Sequence, residues 1–442
     1  MEAAAVRNFK DRFSLESVER LSAAFGDPDW LKRKRRKGWQ AFSDFAQLPA
    51  GERHSGARWL KGPEHLPDEI LETGEKLPLP AAVRPEFGGA WGDLAGAYSY
   101  GCESDFGALL DPEAAAMGVE LLPLKQACVQ RPELLERHLF SRTGEDESLY
   151  AALHAAYFGQ GTLLYIPKGV RLAKPIRLRG VHTGGHAGFF PHTLVVAEEG
   201  AAATVVDEFS SAGEAQGLMA GVAELVLGPG SRVNYISLQD LNRLSGAAMR
   251  QNTRLADDAH LYTLGVVAGG AWSTSYLGSE LAGGGGSVDL LGLALGDGAR
   301  QIEIRTLQEH VGRAGSSDAL VKSILRGASR FYFDGVVRIR RSGQSTNAYQ
   351  SNPNLLLSSD ARAESIPTLE IEADDVACKH AASIGGIDEE ERFYLLSRGV
   401  PPRETETIIT EGFASELAER LPEEGLKERF AEILNRLAMR AA

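Results

Sequence analysis

From Gly159 to about Ser383 the chain keeps one texture, and that texture limits what it can fold into. Segments such as TLVVAEEGAAATVVDEF, AELVLGPGSRVNYISL and LVKSILRGASRFYFDGVVRI alternate apolar and polar residues, with a small turn residue near the middle of each. Period-two alternation broken by Gly or Asp reads as short strands joined by tight turns. The turns fall near Gly200, Gly230, Asp258, Gly286 or Gly298, Gly327, Gly343 and Asp360. Their spacing is roughly 28–30 residues early and roughly 15–17 late, a loose repeat. Such a repeat fits a β-solenoid, in which each coil buries its apolar face against the next. A β-sandwich is the alternative, but the strand series is long for one sandwich. The polar series Asn347, Gln350, Asn352 and Asn354 suits side-chain ladders between coils.

The flanks read differently. Residues 1–158 are expected to form an N-terminal helical region, 159–384 the solenoid and 385–442 a C-terminal helical domain. In FGDPDWLKRKRRKGWQAFSDF, Asp27 is a candidate N-cap with Pro28 at the first helical position. Leu31, Trp39, Phe42 and Phe45 share an apolar face there. The basic run Lys32 to Lys37, between Trp30 and Trp39, invites a nucleic-acid reading but is expected to be a solvated helix face. A Gly- and Pro-rich loop follows from Leu48 to Pro85. LPLKQACVQRPELLERHLF and SLYAALHAAYFG read as two short helices, with Cys128 a small buried residue on the first. At the other end Asp388 can cap a helix that Gly399 stops, and Pro401-Pro402 opens the next. Ile408, Ile409 and Phe413 line that helix; Phe430, Ile433, Leu434 and Leu437 line the last.

Several function classes drop out. The sequence has no GxxxxGK[ST] phosphate loop, so the chain should not hydrolyse ATP itself, and no HExxH, CxxC or GxSxG. GGGGSVDLLG lacks the phosphate-loop lysine and reads as a turn. A net charge of −13 argues against a general nucleic-acid binder. No apolar run reaches membrane-span length, and the N-terminus lacks a signal-peptide apolar region. Three cysteines, Cys102, Cys128 and Cys378, are too few for a disulfide framework, and a cytoplasmic protein is expected.

What remains is Cys378-Lys379-His380, where the strand series ends. Residues two apart on a strand share a face, so a thiol and an imidazole stand together, with Lys379 on the opposite side. They are two soft donors suited to iron, zinc or an iron–sulfur species. Closed sites take four ligands, so either a partner supplies the rest or the pair is a buried cysteine beside a hydrogen-bonded histidine.

TNAYQSNPNLLLSSDARAESIPTLEIEADDVACKHAASIGGIDEEERFYLLSRGV resembles the signature region of the SufB/SufD family of the SUF iron–sulfur cluster assembly machinery. GTLLYIPKGVRLAKPI, TLQEHVGRAGSSDALVKSILRGASRFYFDGVVRI and DPDWLKRKRRKGWQAF are also similar to it, so the resemblance spans nearly the whole chain. ACKHAAS is closer to the CxHGA of SufD-type chains than to the VEHEAT of SufB-type chains, departing from it at Lys379 and Ala381. The resemblance implies a right-handed parallel β-helix flanked by N- and C-terminal helical regions. It implies a non-catalytic scaffold that pairs with a SufB-type subunit through the β-helix edge. A SufC-type ATPase would dock on the C-terminal helices, where Phe393, Tyr394, Arg398, Glu404, Ile408 and Phe413 are the expected surface. It makes His380, and less firmly Cys378, donors at a site shared with the partner. No cofactor would be held stably by the isolated chain, only transient iron or a cluster in the complex; a flavin in the complex and a homodimer of the isolated chain stay open. His310, in a second family-like block, is expected in a core or inter-coil hydrogen bond. A purely structural adaptor without a metal role, and a β-helix carbohydrate-active enzyme, are the other readings; the second would need acidic and basic residues clustered on one solenoid face.

Overall fold

The computed structural model describes residues 13–47, 93–102, 105–183, 188–214 and 217–421, with 427, 428, 430, 431 and 434 beyond them. The Gly- and Pro-rich stretch Leu48–Pro85 and the side chains of Ile433 and Leu437 lie outside these residues.

Strands alternate between two sheets, so each pairs with the strand two places away in sequence. From Gln160–Ile166 to Val376–Gly385 every pairing is parallel and in register, which makes a β-solenoid of about 8 coils. One column of corner residues closes the coils at one end: Gly169, Gly200, Gly230, Asp258, Gly285, Ala314 and Ser345 all have positive φ, from 53° to 73°. Each donates its N–H to a carbonyl of the next coil, as Gly200 does to Pro229 O at 2.8 Å and Ala314 does to Gln344 O at 2.8 Å. Glycine adopts this left-handed backbone without a Cβ clash, which is why it fills four of these seven corners. Gly298 and Gly327 turn at the opposite end. The late turns near Gly327, Gly343 and Asp360 therefore alternate between the two ends of the coils, and the coils themselves do not shorten.

Inside, residues of one sheet stack from coil to coil, as Leu227, Leu255 and Leu281 do, and the two sheets share one apolar core. The polar ladder is real in part. Pro353 has no N–H for Val321 O, and Asn352 Nδ2 donates to that carbonyl instead at 2.7 Å. Asn354 Nδ2 donates to Ser383 O one coil on at 3.1 Å, whereas Asn347 faces solvent.

Both outer faces are covered. The helix Asp29–Gln47 and the helix Leu149–Tyr157 lay Leu31, Phe42 and Leu153 on Leu194, Leu218 and Trp272 of one sheet. The helix Pro402–Glu419 lays Ala414 and Leu417 on Ile236, Leu264 and Leu291 of the other, and Leu421 and Phe430 join them. The N-terminal region is not helical throughout. Gly96–Gly101 pairs in parallel with Ile176–His182, and Glu120–Pro123 pairs with Gln160–Ile166, so this region closes the first coil. Pro132 splits the expected single helix into Leu124–Gln130 and Pro132–His138.

Two buried titrating groups act on stability with opposite sign. Asp207 accepts from Tyr235 OH at 2.6 Å and Thr193 Oγ1 at 2.8 Å, and burial holds its carboxyl up at about 6. Burial pushes the His310 imidazole down to about 4. Between pH 4 and 6 folded Asp207 keeps a proton that the unfolded chain has lost, so its contribution falls as pH rises. Over the same window the unfolded chain protonates His310 and the folded one does not, so that contribution rises with pH. Each is worth about 3 kcal/mol across its window. Relative to wild type, Asp207→Asn should therefore make stability climb more steeply from pH 4 to 6, and His310→Gln less steeply. Urea denaturation at a series of pH values checks both slopes.

Candidate functional site: the terminal coil

The last coil consists of Arg362–Ile371 and Val376–Gly385, and each strand is the edge of its sheet. Cys378 pairs in register with Ala348, and His380 with Gln350. Ala348 and Gln350 point into the core, so Cys378 and His380 share the inward side and Lys379 projects outward. Cys378 is half-buried against Val337, Ile339, Ala348 and Ala373, and burial raises its thiol above the ordinary value. His380 is exposed, and its imidazole makes no hydrogen bond to any described residue. Nothing caps the coil among the described residues: Ile371 and Ile384, at inward positions, are 42% and 48% exposed. No third His, Cys, Asp or Glu among those residues converges on the pair.

Next along the chain, the carboxylate of Asp388 accepts from the N–H groups of Glu390 at 2.8 Å and Glu391 at 3.3 Å, starting the helix Glu389–Ser397. Gly399, at φ 84°, stops it. This helix buries none of its residues. Phe393 is 72% exposed and Tyr394 57%, with the Arg398 guanidinium 5.2 Å from the Tyr394 ring. Glu404 and Ile408 also face solvent. Phe413 does not stand with them: it is half-buried against the solenoid, under Lys322, whose ammonium donates to Phe413 O at 2.8 Å. Lys322 also pairs with Glu416 at 2.6 Å, and Arg420 with Asp318 at 2.9 Å, pinning this helix to the sheet.

Other candidates are structural. His310 is a core histidine whose Nε2 lies 2.8 Å from Ser317 Oγ on the following strand of its own coil. The basic run is not wholly solvated: Arg35 is fully buried, its Nε donating to Asp27 at 2.5 Å and its Nη1 to Phe158 O at 2.7 Å. That use of Asp27 replaces the expected cap. Trp30 and Trp39 pack against the N-terminal core.

A buried cluster escaped the sequence reading. His154 Nε2 lies 3.0 Å from His192 Nδ1, and His192 Nε2 lies 3.2 Å from Glu224 Oε2. Glu224 also accepts the backbone N–H groups of Phe140 at 2.5 Å, Arg142 at 2.7 Å and Thr143 at 2.9 Å. Burial first, then His192 beside it, push His154 well below the ordinary range. The cluster ties the N-terminal region to the solenoid. Its one sequence signal is a lone acid inside the apolar run MAGVAELVL.

Acids and bases do line one outer column, Arg254, Glu280, Glu309, Arg338 and Glu370, one per coil. All are ion-paired: Arg254 to Glu280 at 2.6 Å, Arg340 to Glu309 at 2.7 Å, Arg338 to Glu370 at 2.5 Å. They stitch coils together and supply no free acid and base pair.

Fold and site define a β-solenoid with one end that no described residue caps and that carries a thiol and an imidazole. Residues 180–413 match the family model described as the SUF system FeS cluster assembly SufBD core domain, and residues 105–178 match the SufBD protein N-terminal region. The iron–sulfur cluster assembly protein SufD of Bacillus subtilis is 30% identical over 335 residues, covering 74% of this chain and 76% of that one. SufD of Escherichia coli is 32% identical over 285 residues, covering 63% and 66%. A SufBD family protein of Synechocystis is 24% identical over 374 residues, covering 83% and 77%. The chain belongs to the SufB/SufD family and is of the SufD type; its role lies in iron–sulfur cluster assembly by the SUF system. Among the described residues no helix is long and apolar enough to cross a membrane.

Proposed function

We propose that the chain is a non-catalytic scaffold that pairs with a SufB-type subunit through its terminal coil and carries a SufC-type ATPase on its C-terminal helices. At the shared interface it offers His380 to iron or a nascent cluster, which is cargo and not a resident cofactor. The observation that carries this reading is the uncapped coil. Two unpaired strand edges are a template for another chain, and exposed Ile371 and Ile384 supply the apolar area a stable contact needs. Two soft donors at that edge form half of a four-ligand site, and a partner docked there would bring the rest. His380 is the stronger donor, because Cys378 packs inward and its raised thiol must lose a proton before it can ligate. A purely structural adaptor would have no use for an exposed imidazole turned to the inward side of an open coil.

The test is co-expression with SufB-type and SufC-type candidates, anaerobic purification, and iron and sulfide analysis. The expected result is a three-component complex holding more iron and sulfide than the isolated chain. Recovery of the chain without either partner overturns the proposal.

A further inference from the structure

Gln350 sits one coil below His380, in register with it. The same column runs through Thr263, Leu290 and Ala319, so it carries apolar side chains in the two coils before Gln350. A packing role at this point would be met by another apolar residue. Gln350 is fully buried, yet neither its amide nitrogen nor its amide oxygen has a hydrogen-bond partner among the described residues. The fold also makes room for this amide. Opposite it stands Gly335, where an added Cβ would lie 1.9 Å from Gln350 Nε2. The amide thus extends across the interior just beneath the coil into which the His380 imidazole projects. The strand spacing between the two is roughly 4.8 Å, within reach of a hydrogen bond once the imidazole leans inward.

We propose that Gln350 is a positioning residue for His380: its amide oxygen accepts one ring N–H, which fixes the tautomer and turns the bare nitrogen out of the solenoid mouth. A histidine that ligates through one nitrogen is commonly oriented by a hydrogen bond at the other. The partner atom here is an amide and not a carboxylate, so the orienting contact adds no charge to the interior. The proposal deepens the reading of His380 as a donor and rests on it for its purpose, though not for its geometry.

The test compares the isolated wild-type chain with Gln350→Met, using the imidazole nitrogen shifts of His380 recorded at alkaline pH. His380→Ala identifies the resonances. Wild type should show the well-separated nitrogen shifts of a single tautomer, and Gln350→Met should collapse them toward a tautomer average. Thermal stability should change little, because the substitution trades one hydrogen bond to an exposed ring for removal of a buried amide nitrogen that has no partner among the described residues. In the assembled complex the same variant should lower cluster yield about tenfold, the scale of losing an orienting partner. Tautomer-averaged shifts in the wild type overturn the proposal without any variant. Unchanged shifts in Gln350→Met overturn it whatever the cluster yield. A normal cluster yield in His380→Ala would instead reject the donor reading, and the nitrogen shifts would still judge the Gln350 contact.

Discussion

His380→Ala is expected to leave the reconstituted complex assembled and its ATPase active, while iron retention and cluster yield fall by at least about tenfold. The size follows from ligand chemistry: losing only an orienting partner behind a ligand costs about 10- to 100-fold in metal affinity, so losing the ligand should cost no less. Assembly should survive because His380 is exposed, and its removal leaves the Gln350 amide only as the structure already shows it, without a partner among the described residues. On the proposed reading the partner would be held by the two strand edges and the apolar side chains beside them, not by this imidazole. Cys378→Ala should behave differently. The thiol packs on Val337, Ile339 and Ala348, so its loss should loosen the coil slightly and reduce cluster yield less than His380→Ala does. Gel filtration, ATP turnover and anaerobic iron and sulfide analysis separate these effects. Cluster formation at the wild-type rate with His380→Ala would leave the histidine without a donor role.

The solenoid was legible because its physics is local and repeated. Alternation marks the inward side of each strand, and glycine marks the left-handed corners at Gly200, Gly230 and Gly285. Ala314 and Ser345 take the same conformation without being glycine, so the glycines beside them, Gly312, Gly315 and Gly343, mark a turn there without marking its corner. The pairing of Gly96–Gly101 with Ile176–His182 was hidden for another reason: a parallel partner so far along the chain leaves no periodic trace. Arg35 was misjudged because a charge run looks alike on both faces of a helix, and only the fold shows that one member meets Asp27 in the core. The site was half legible. The spacing of Cys378 and His380 put them on one face, but the missing cap, and an unpaired glutamine below them, appear only once strands are placed in register.

Phe393→Ser combined with Tyr394→Ser is expected to abolish docking of a SufC-type ATPase, weakening it by 100-fold or more, about 2 kcal/mol or more for each aromatic anchor. The chain itself should fold as before. The helix Glu389–Ser397 buries no residue, and its start depends on Asp388 and not on either ring. Two large aromatic rings held in water on a short, capped helix, with Arg392 on the same helix and the Arg398 guanidinium beside Tyr394, form an apolar centre with a charged border. Phe413 serves as the contrast. It packs on the solenoid, with the ammonium of the strand residue Lys322 4.5 Å from its ring, so Phe413→Ala should lower stability by about 3 kcal/mol at most and affect docking only through that loss. The same anchoring rules out the simpler experiment of deleting everything after Gly385. That truncation would strip Ala414, Leu417 and Leu421 from Ile236, Leu264 and Leu291 and expose a whole sheet face to water, so loss of binding would report unfolding. The double substitution avoids this, because it changes only side chains that already face solvent. Calorimetric titration of the ATPase against the folded variant decides the matter: unchanged affinity would move the docking surface off this helix.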